Sequence, residues 1–140
     1  MEEIRINQER TLLSADALNL YSLPVSDHLT IEHADRWLEI YGTDWGEILF
    51  GRKVRKKGTD RLYVITSTGL LFVVVIATSG EFEGQEIICT AFHPSAERYA
   101  KEAEAAGVAV DPEIAEICRE KHKAENDALK QREEAARMAA

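Results

Sequence analysis

The sequence predicts an α+β fold: a small antiparallel β-meander packed against an N-terminal helix, with a C-terminal helical extension. Three observations lead there. Runs rich in β-branched and aromatic residues, broken by Gly- and Ser-bearing turns, fill the middle of the chain between residues 61 and 92. A segment of helical period with start and stop signals precedes them. Two more helical segments follow, the second opened by Asp111-Pro112. The 140 residues amount to about one domain, and 45% hydrophobic with 30% charged residues suits a folded chain. The expected division is a core over residues 1–95 and a helical extension over 96–140.

Each element has a local cause. Ile4 and Ile6 alternate with polar residues, which predicts a short strand or extended arm. Ser14 caps a brief helical turn through Ala17 and Leu20, ended by Pro24. The first full helix is expected to start at Thr30 as N-cap, with Glu32 in its first turn and Glu32 paired to Arg36. His33, Trp37, Ile40 and Tyr41 share one face of it, and Gly42 supplies the stop. Asp44 caps a short turn from Trp45 to Phe50. Three strands are then expected. The first is Arg61 to Thr66, the second the apolar run Leu70 to Ala77, covered on both faces, and the third Gln85 to Phe92, stopped by Pro94. Ser95 caps a helix over Ala96 to Ala106, with Gly107 past its end. The helix from Pro112 has a thin apolar stripe of Ile114, Ile117 and Cys118. Its later turns are either solvated or contact a partner or a second copy.

Several classes are excluded on this reading. The opening Met-Glu-Glu-Ile-Arg lacks the basic and apolar regions of a signal peptide, and no apolar run approaches the roughly 20 residues that span a bilayer. The expectation is a soluble, cytoplasmic protein with no membrane partner. Cys89 and Cys118 lie far apart without CxxC spacing, so no metal site and no disulfide are expected. Phosphate-loop, dinucleotide, zinc-protease and EF-hand signatures are missing, and no cofactor is expected.

The net charge of −8 argues against general binding to long duplexes. One segment opposes the trend. Arg52, Lys53, Arg55, Lys56, Lys57 and Arg61 face only Asp60 within residues 51–62. This stretch reads either as a charge-protected edge hairpin or as a phosphate-contacting surface, with Arg55, Lys56 and Lys57 as substrate-binding candidates.

The histidines carry the chemistry. His28 and His33 flank the start of the first helix and His93 ends the last strand, while His122 sits in the polar C-terminal helix and reads as solvated. Imidazoles titrate near neutrality, as cleavage of an RNA 2′-OH phosphodiester requires of its base and acid. The same cleavage needs cations and hydroxyls on the phosphate, for which Arg61, Thr66 and Thr90 are candidates. A histidine on an apolar face, like His33 beside Trp37, is more often a satisfied core residue than a functional one.

A helix with His28-Leu29-Thr30-Ile31-Glu32-His33, a basic strand Arg61 to Thr66, an apolar strand Phe72 to Ile76 and a last strand Ile87-Ile88-Cys89-Thr90-Ala91-Phe92 resembles the barnase, EndoU, colicin E5/D and RelE-like RNases, in particular their phage- and prophage-encoded branch. The resemblance covers roughly residues 26–95. It implies a metal-independent, toxin-type RNase, with His28 and His33 as acid and base, Arg61, and less directly Lys57, on the phosphate, and Thr90 bonded to it. Glu32 stands where the family pattern has an arginine, and is expected to raise the pKa of a neighbouring imidazole. Two rivals stand beside this reading. One is a non-catalytic, acidic phage-type binding protein that inhibits a host or defence protein, reaching it through its acidic surface or C-terminal helix. The other is an assembly protein that forms a homodimer through residues 112–140.

Overall fold

The computed structural model describes residues 19–139; the expectations for Ile4, Ile6, Ser14 and Ala17 lie outside them. A four-stranded antiparallel sheet in the order β1-β2-β3-β4 forms the centre: β1 Ile48–Lys56, β2 Thr59–Thr66, β3 Leu71–Ile76 and β4 Glu86–Phe92. Helix α1 (Ala34–Tyr41) precedes the sheet; α2 (Ala96–Ala105) and α3 (Pro112–Ala139) follow it. This is the expected α+β meander with a C-terminal helical extension.

Alternation sorts β3 between two cores. Phe72 and Val74 join Leu29, Trp37, Ile40 and Trp45 under α1. Leu71 and Val73 join Tyr99 and Ala103 of α2 and Ile114 and Cys118 of α3. Both faces of the run are therefore covered, as its lack of polar residues predicts. Segment 96–139 thus shares a core with the sheet.

The sequence reading expected three strands, and there are four. The segment read as a capped turn, Trp45 to Phe50, runs into β1, which pairs Phe50 with Ile65 and Arg52 with Tyr63. Period hid this strand because Arg52 takes a core-facing slot. Its guanidinium binds the buried Glu102 at 2.8 and 3.0 Å and lies over the Tyr63 ring. Asp44 still makes the expected local cap, accepting the Gly46 N–H at 3.0 Å.

The first helix also begins differently. Thr30 is not an N-cap: its hydroxyl donates back to the Ser26 carbonyl at 3.2 Å, inside a π turn spanning His28–Glu32. The entry is fixed by the sheet instead. Ser26 N–H donates to the Ile88 carbonyl at 2.9 Å and its hydroxyl to the Cys89 carbonyl at 2.7 Å, while Val25 pairs in parallel with Ile88. Tyr41 is 67% exposed, so the buried face of α1 is Trp37 and Ile40. Gly42 ends α1 with φ −80°, without using a left-handed conformation.

The C-terminal elements start as expected. Ser95 accepts the Arg98 N–H at 3.1 Å, and Asp111 accepts the Glu113 N–H at 2.9 Å. Among the described residues no helix is long and apolar enough to cross a membrane.

Candidate functional site

The π turn brings the first two histidines together. An α-helix would set residues five apart about 140° away from each other. A π turn closes one residue later and puts them on the same side. The His28 and His33 rings meet edge to face with centroids 4.9 Å apart. Glu32 is spent on His28 Nδ1 rather than on Arg36, so the expected Glu32–Arg36 pair does not form.

Arg36 is released for a different task. Its Nη2 donates to Thr90 Oγ1 on β4 at 3.2 Å, and its guanidinium lies 6.0 Å from the centre of the Phe92 ring. Its Nε is buried without a hydrogen-bond partner among the described residues. Burial, first, and Arg132 lower the Arg36 pKa against the opposite pull of Glu125. His33 and Arg36 line one groove of about 500 Å³ between α1 and α3, together with Glu125, Asn126 and Arg132. His33 is held below the ordinary histidine value of 6.5 by burial first, then by Arg36 and His28, with Glu32 pulling weakly the other way. The expected upward shift from Glu32 is outweighed.

On the far wall, α3 supplies Glu125. Its Oε2 accepts from both the backbone N–H of His93 at 3.1 Å and His93 Nδ1 at 2.8 Å. His122 Nδ1 donates to the His93 carbonyl at 2.9 Å, and His122 Nε2 accepts from Asn126 at 3.1 Å. A continuous line of neighbours therefore runs from His28 through His33, Arg36 and Glu125 to His93 and His122. It includes every histidine in the chain.

The other candidates stand elsewhere. Arg55 pairs with Asp60 at 2.9 Å, and Lys56 and Lys57 occupy the exposed tip of the β1–β2 hairpin. That turn forms because Lys57 at φ 52° and Gly58 at φ 76° match the two left-handed positions it requires. Arg61 lies opposite Val75, itself opposite Ile87, so two strand spacings, roughly 10 Å, separate it from β4. Thr66 is fully buried, its hydroxyl accepting the Leu70 N–H at 3.3 Å in the β2–β3 turn. Among the described residues no hydrogen bond or ion pair joins the basic cluster or Thr66 to a histidine, although the charge of Arg61 acts on Cys89 of β4.

Sequence reasoning missed Arg36, Glu125, Asn126 and Arg132, and set His122 aside. A signal was present. Cys118, His122, Glu125, Leu129 and Arg132 repeat at alternating steps of four and three, a polar continuation of the apolar stripe on α3. Arg132 ties this far end to α1, with Nε 3.4 Å from Asp35 and Nη1 4.0 Å from Glu39.

Among the described residues, no group of three or more metal-ligating side chains converges. No protein-family model, curated protein or solved structure matches this chain.

Proposed function

We propose that the chain is a metal-independent endoribonuclease, with the His28–His33 pair as its acid–base centre. The observation that carries this reading is the contact of His28 with His33, which shares a groove with Arg36, itself bonded to Thr90 on the outer strand. His33, whose pKa is lowered, is unprotonated at neutral pH and takes the 2′-OH proton. The oxygen so freed attacks the adjacent phosphorus, and the P–O5′ bond breaks. His28, whose charged form has Glu32 as ion-pair partner, gives its proton to the leaving oxygen. Arg36, through its guanidinium, and Thr90 bind the phosphate oxygens as negative charge builds. The products are a 2′,3′-cyclic phosphate and a 5′-hydroxyl.

Incubating total cellular RNA with the protein in EDTA tests this directly. Discrete fragments with the native chain, and none with His28→Ala/His33→Ala, are expected. Intact RNA in both lanes overturns it.

One feature favours a second reading, an acidic binding protein. The groove beside His33 also carries Glu32, Asp35 and Glu133 around two exposed apolar residues, Ile31 and Leu129. Such a surface complements a basic protein better than a polyanion. If RNA stays intact, a partner captured by the native chain and lost with Glu32→Lys/Glu133→Lys supports this second reading.

A further inference from the structure

A second cavity, of about 580 Å³, lies between the end of α1, the β2–β3 turn and α3. It falls in the size range of small-molecule sites. Three features of its lining bear on what it takes. Ile117 and Ala124 provide an apolar wall, with the buried Leu70 behind it. Glu39 and Asp44 provide exposed carboxylates, and Lys121 an exposed ammonium with no ion-pair partner among the described residues.

The walls between these groups are already set. Thr43 donates to the Ile40 carbonyl at 2.8 Å, Thr68 donates to the Trp45 carbonyl at 2.9 Å, and Ser67 Oγ accepts the Glu47 N–H at 2.9 Å. Their hydroxyls stiffen the rim and do not need to reorganise around a ligand. Gly69 brings the turn against α3 so closely that a Cβ there would lie 2.9 Å from Ile117 Cγ2. The cavity is therefore bounded by fixed backbone on one side and a docked helix on the other.

Its position ties it to the candidate cleavage site. Glu125 lines both this cavity and the groove of His33 and Arg36. His93, held by Glu125 through its backbone N–H and Nδ1, lines the cavity with Nε2 as its uncommitted polar atom.

Resting on the ribonuclease reading, we infer that this cavity is a base subsite that takes a nucleobase bearing an exocyclic amino group, with Lys121 on the flanking phosphate. Carboxylates accept hydrogen bonds from the amino group of adenine or cytosine. Uracil has no amino group and presents carbonyl oxygens on both sides of its one ring N–H, which carboxylates repel. The apolar floor takes the flat face of any base, so selectivity lives in Glu39 and Asp44.

The test is titration of the isotopically labelled full chain, followed by amide NMR in EDTA, with the 5′-monophosphates of adenosine, cytidine and uridine as probes. Saturable shifts at Thr43, Ser67, Thr68 and Lys121 are expected with the first two, and at least tenfold weaker binding with the third. Ala124→Phe, an exposed helix position whose new ring fills the opening, should abolish these shifts. Glu39→Ala/Asp44→Ala should remove the preference while leaving binding, and Lys121→Ala should weaken all three probes alike. Equal binding of the uridine nucleotide, shifts confined to other residues, or no saturable shift overturns the subsite. Occupancy of the cavity with no RNA cleavage leaves the subsite standing and removes the nuclease. Cleavage whose base preference and KM are untouched by Ala124→Phe does the reverse.

Discussion

His28 and His33 touch, edge to face at 4.9 Å, because one π turn separates them where α-helical spacing would point them apart. Their closeness has an electrostatic consequence. Burial, Arg36 and His28 together make protonation of His33 unfavourable, so it takes up its proton only at a pH below the ordinary 6.5. Its imidazole resonance should titrate with a midpoint below that value. Arg36→Gln removes the second of these causes and leaves the first. The midpoint should rise but stay below 6.5. An Arg36→Gln midpoint equal to the native one would show that burial and His28 set it without Arg36. For cleavage the sign is that rate climbs with pH through the His33 midpoint, so its acid limb lies lower than a free histidine would place it.

Thr90 and Arg36 are a donor–acceptor pair across α1 and the outer strand. Thr90→Val keeps the shape and deletes the oxygen. A hydrogen bond to a charged group contributes about 1.5–3 kcal/mol, so roughly ten- to a hundredfold of cleavage should disappear if the pair acts in the transition state. Arg36→Lys alone should lose cleavage as well, because an ammonium cannot hold Thr90 and a phosphate in the same plane. RNA cleavage at native rates by Thr90→Val would remove Thr90 from the site.

Much of the fold was legible because local rules and tertiary packing agree. The run Leu70 to Ala77, the caps at Ser95 and Asp111 and the turn at Ser67-Thr68-Gly69 all stand where composition puts them. The failures have a common cause. β1 was hidden because Arg52 occupies a core-facing position that only the distant Glu102 makes tolerable. The start of the first helix was misplaced because Ser26 answers to β4, 62 to 63 positions away, and not to its neighbours. In the site, His28, His33, Thr90 and His93 were picked out by residue type. Arg36 was passed over because strand order carries no information about which cation bonds Thr90 on β4.

Gly69 carries φ +82° and lets the β2–β3 turn meet α3 at Ile117 and Cys118. An added Cβ would be strained by the backbone and would press on Ile117 Cγ2 at 2.9 Å and the Cys118 backbone N at 3.5 Å. Gly69→Ala should therefore cost about 1–3 kcal/mol in chemical denaturation. Cys118, fully buried with its thiol pushed by burial up to about 11, serves as a local reporter. Native Cys118 should resist thiol reagents, and Gly69→Ala should speed its labelling more than that of half-buried Cys89. Equal acceleration at both cysteines would indicate global loosening rather than separation of α3.

Glu102 is 3% exposed and bound by two arginines, Arg52 of β1 at 2.8 Å and Arg98 of α2 at 2.9 Å, which also flank the Tyr63 ring. Burial alone would push its carboxyl up. The hydrogen bonds and charges of Arg52 and Arg98 outweigh burial and hold it below the ordinary 4.5. A carboxylate with a depressed folded-state pKa adds stability that is fully present above its unfolded value. That stability is lost as pH falls from about 4.5 through the folded value. Glu102→Gln should destabilise the chain at pH 7 by about 1–3 kcal/mol, the lower end reflecting two partly exposed arginines. The gap between native and variant should narrow as pH drops below 4.5, since the unfolded chain takes up its proton there and native Glu102 follows at its lower folded value. Denaturant melts of both proteins at pH 7 and pH 3 measure it. A gap that stays constant across that range would mean that shape, and not charge, joins α2 to the edge of the sheet.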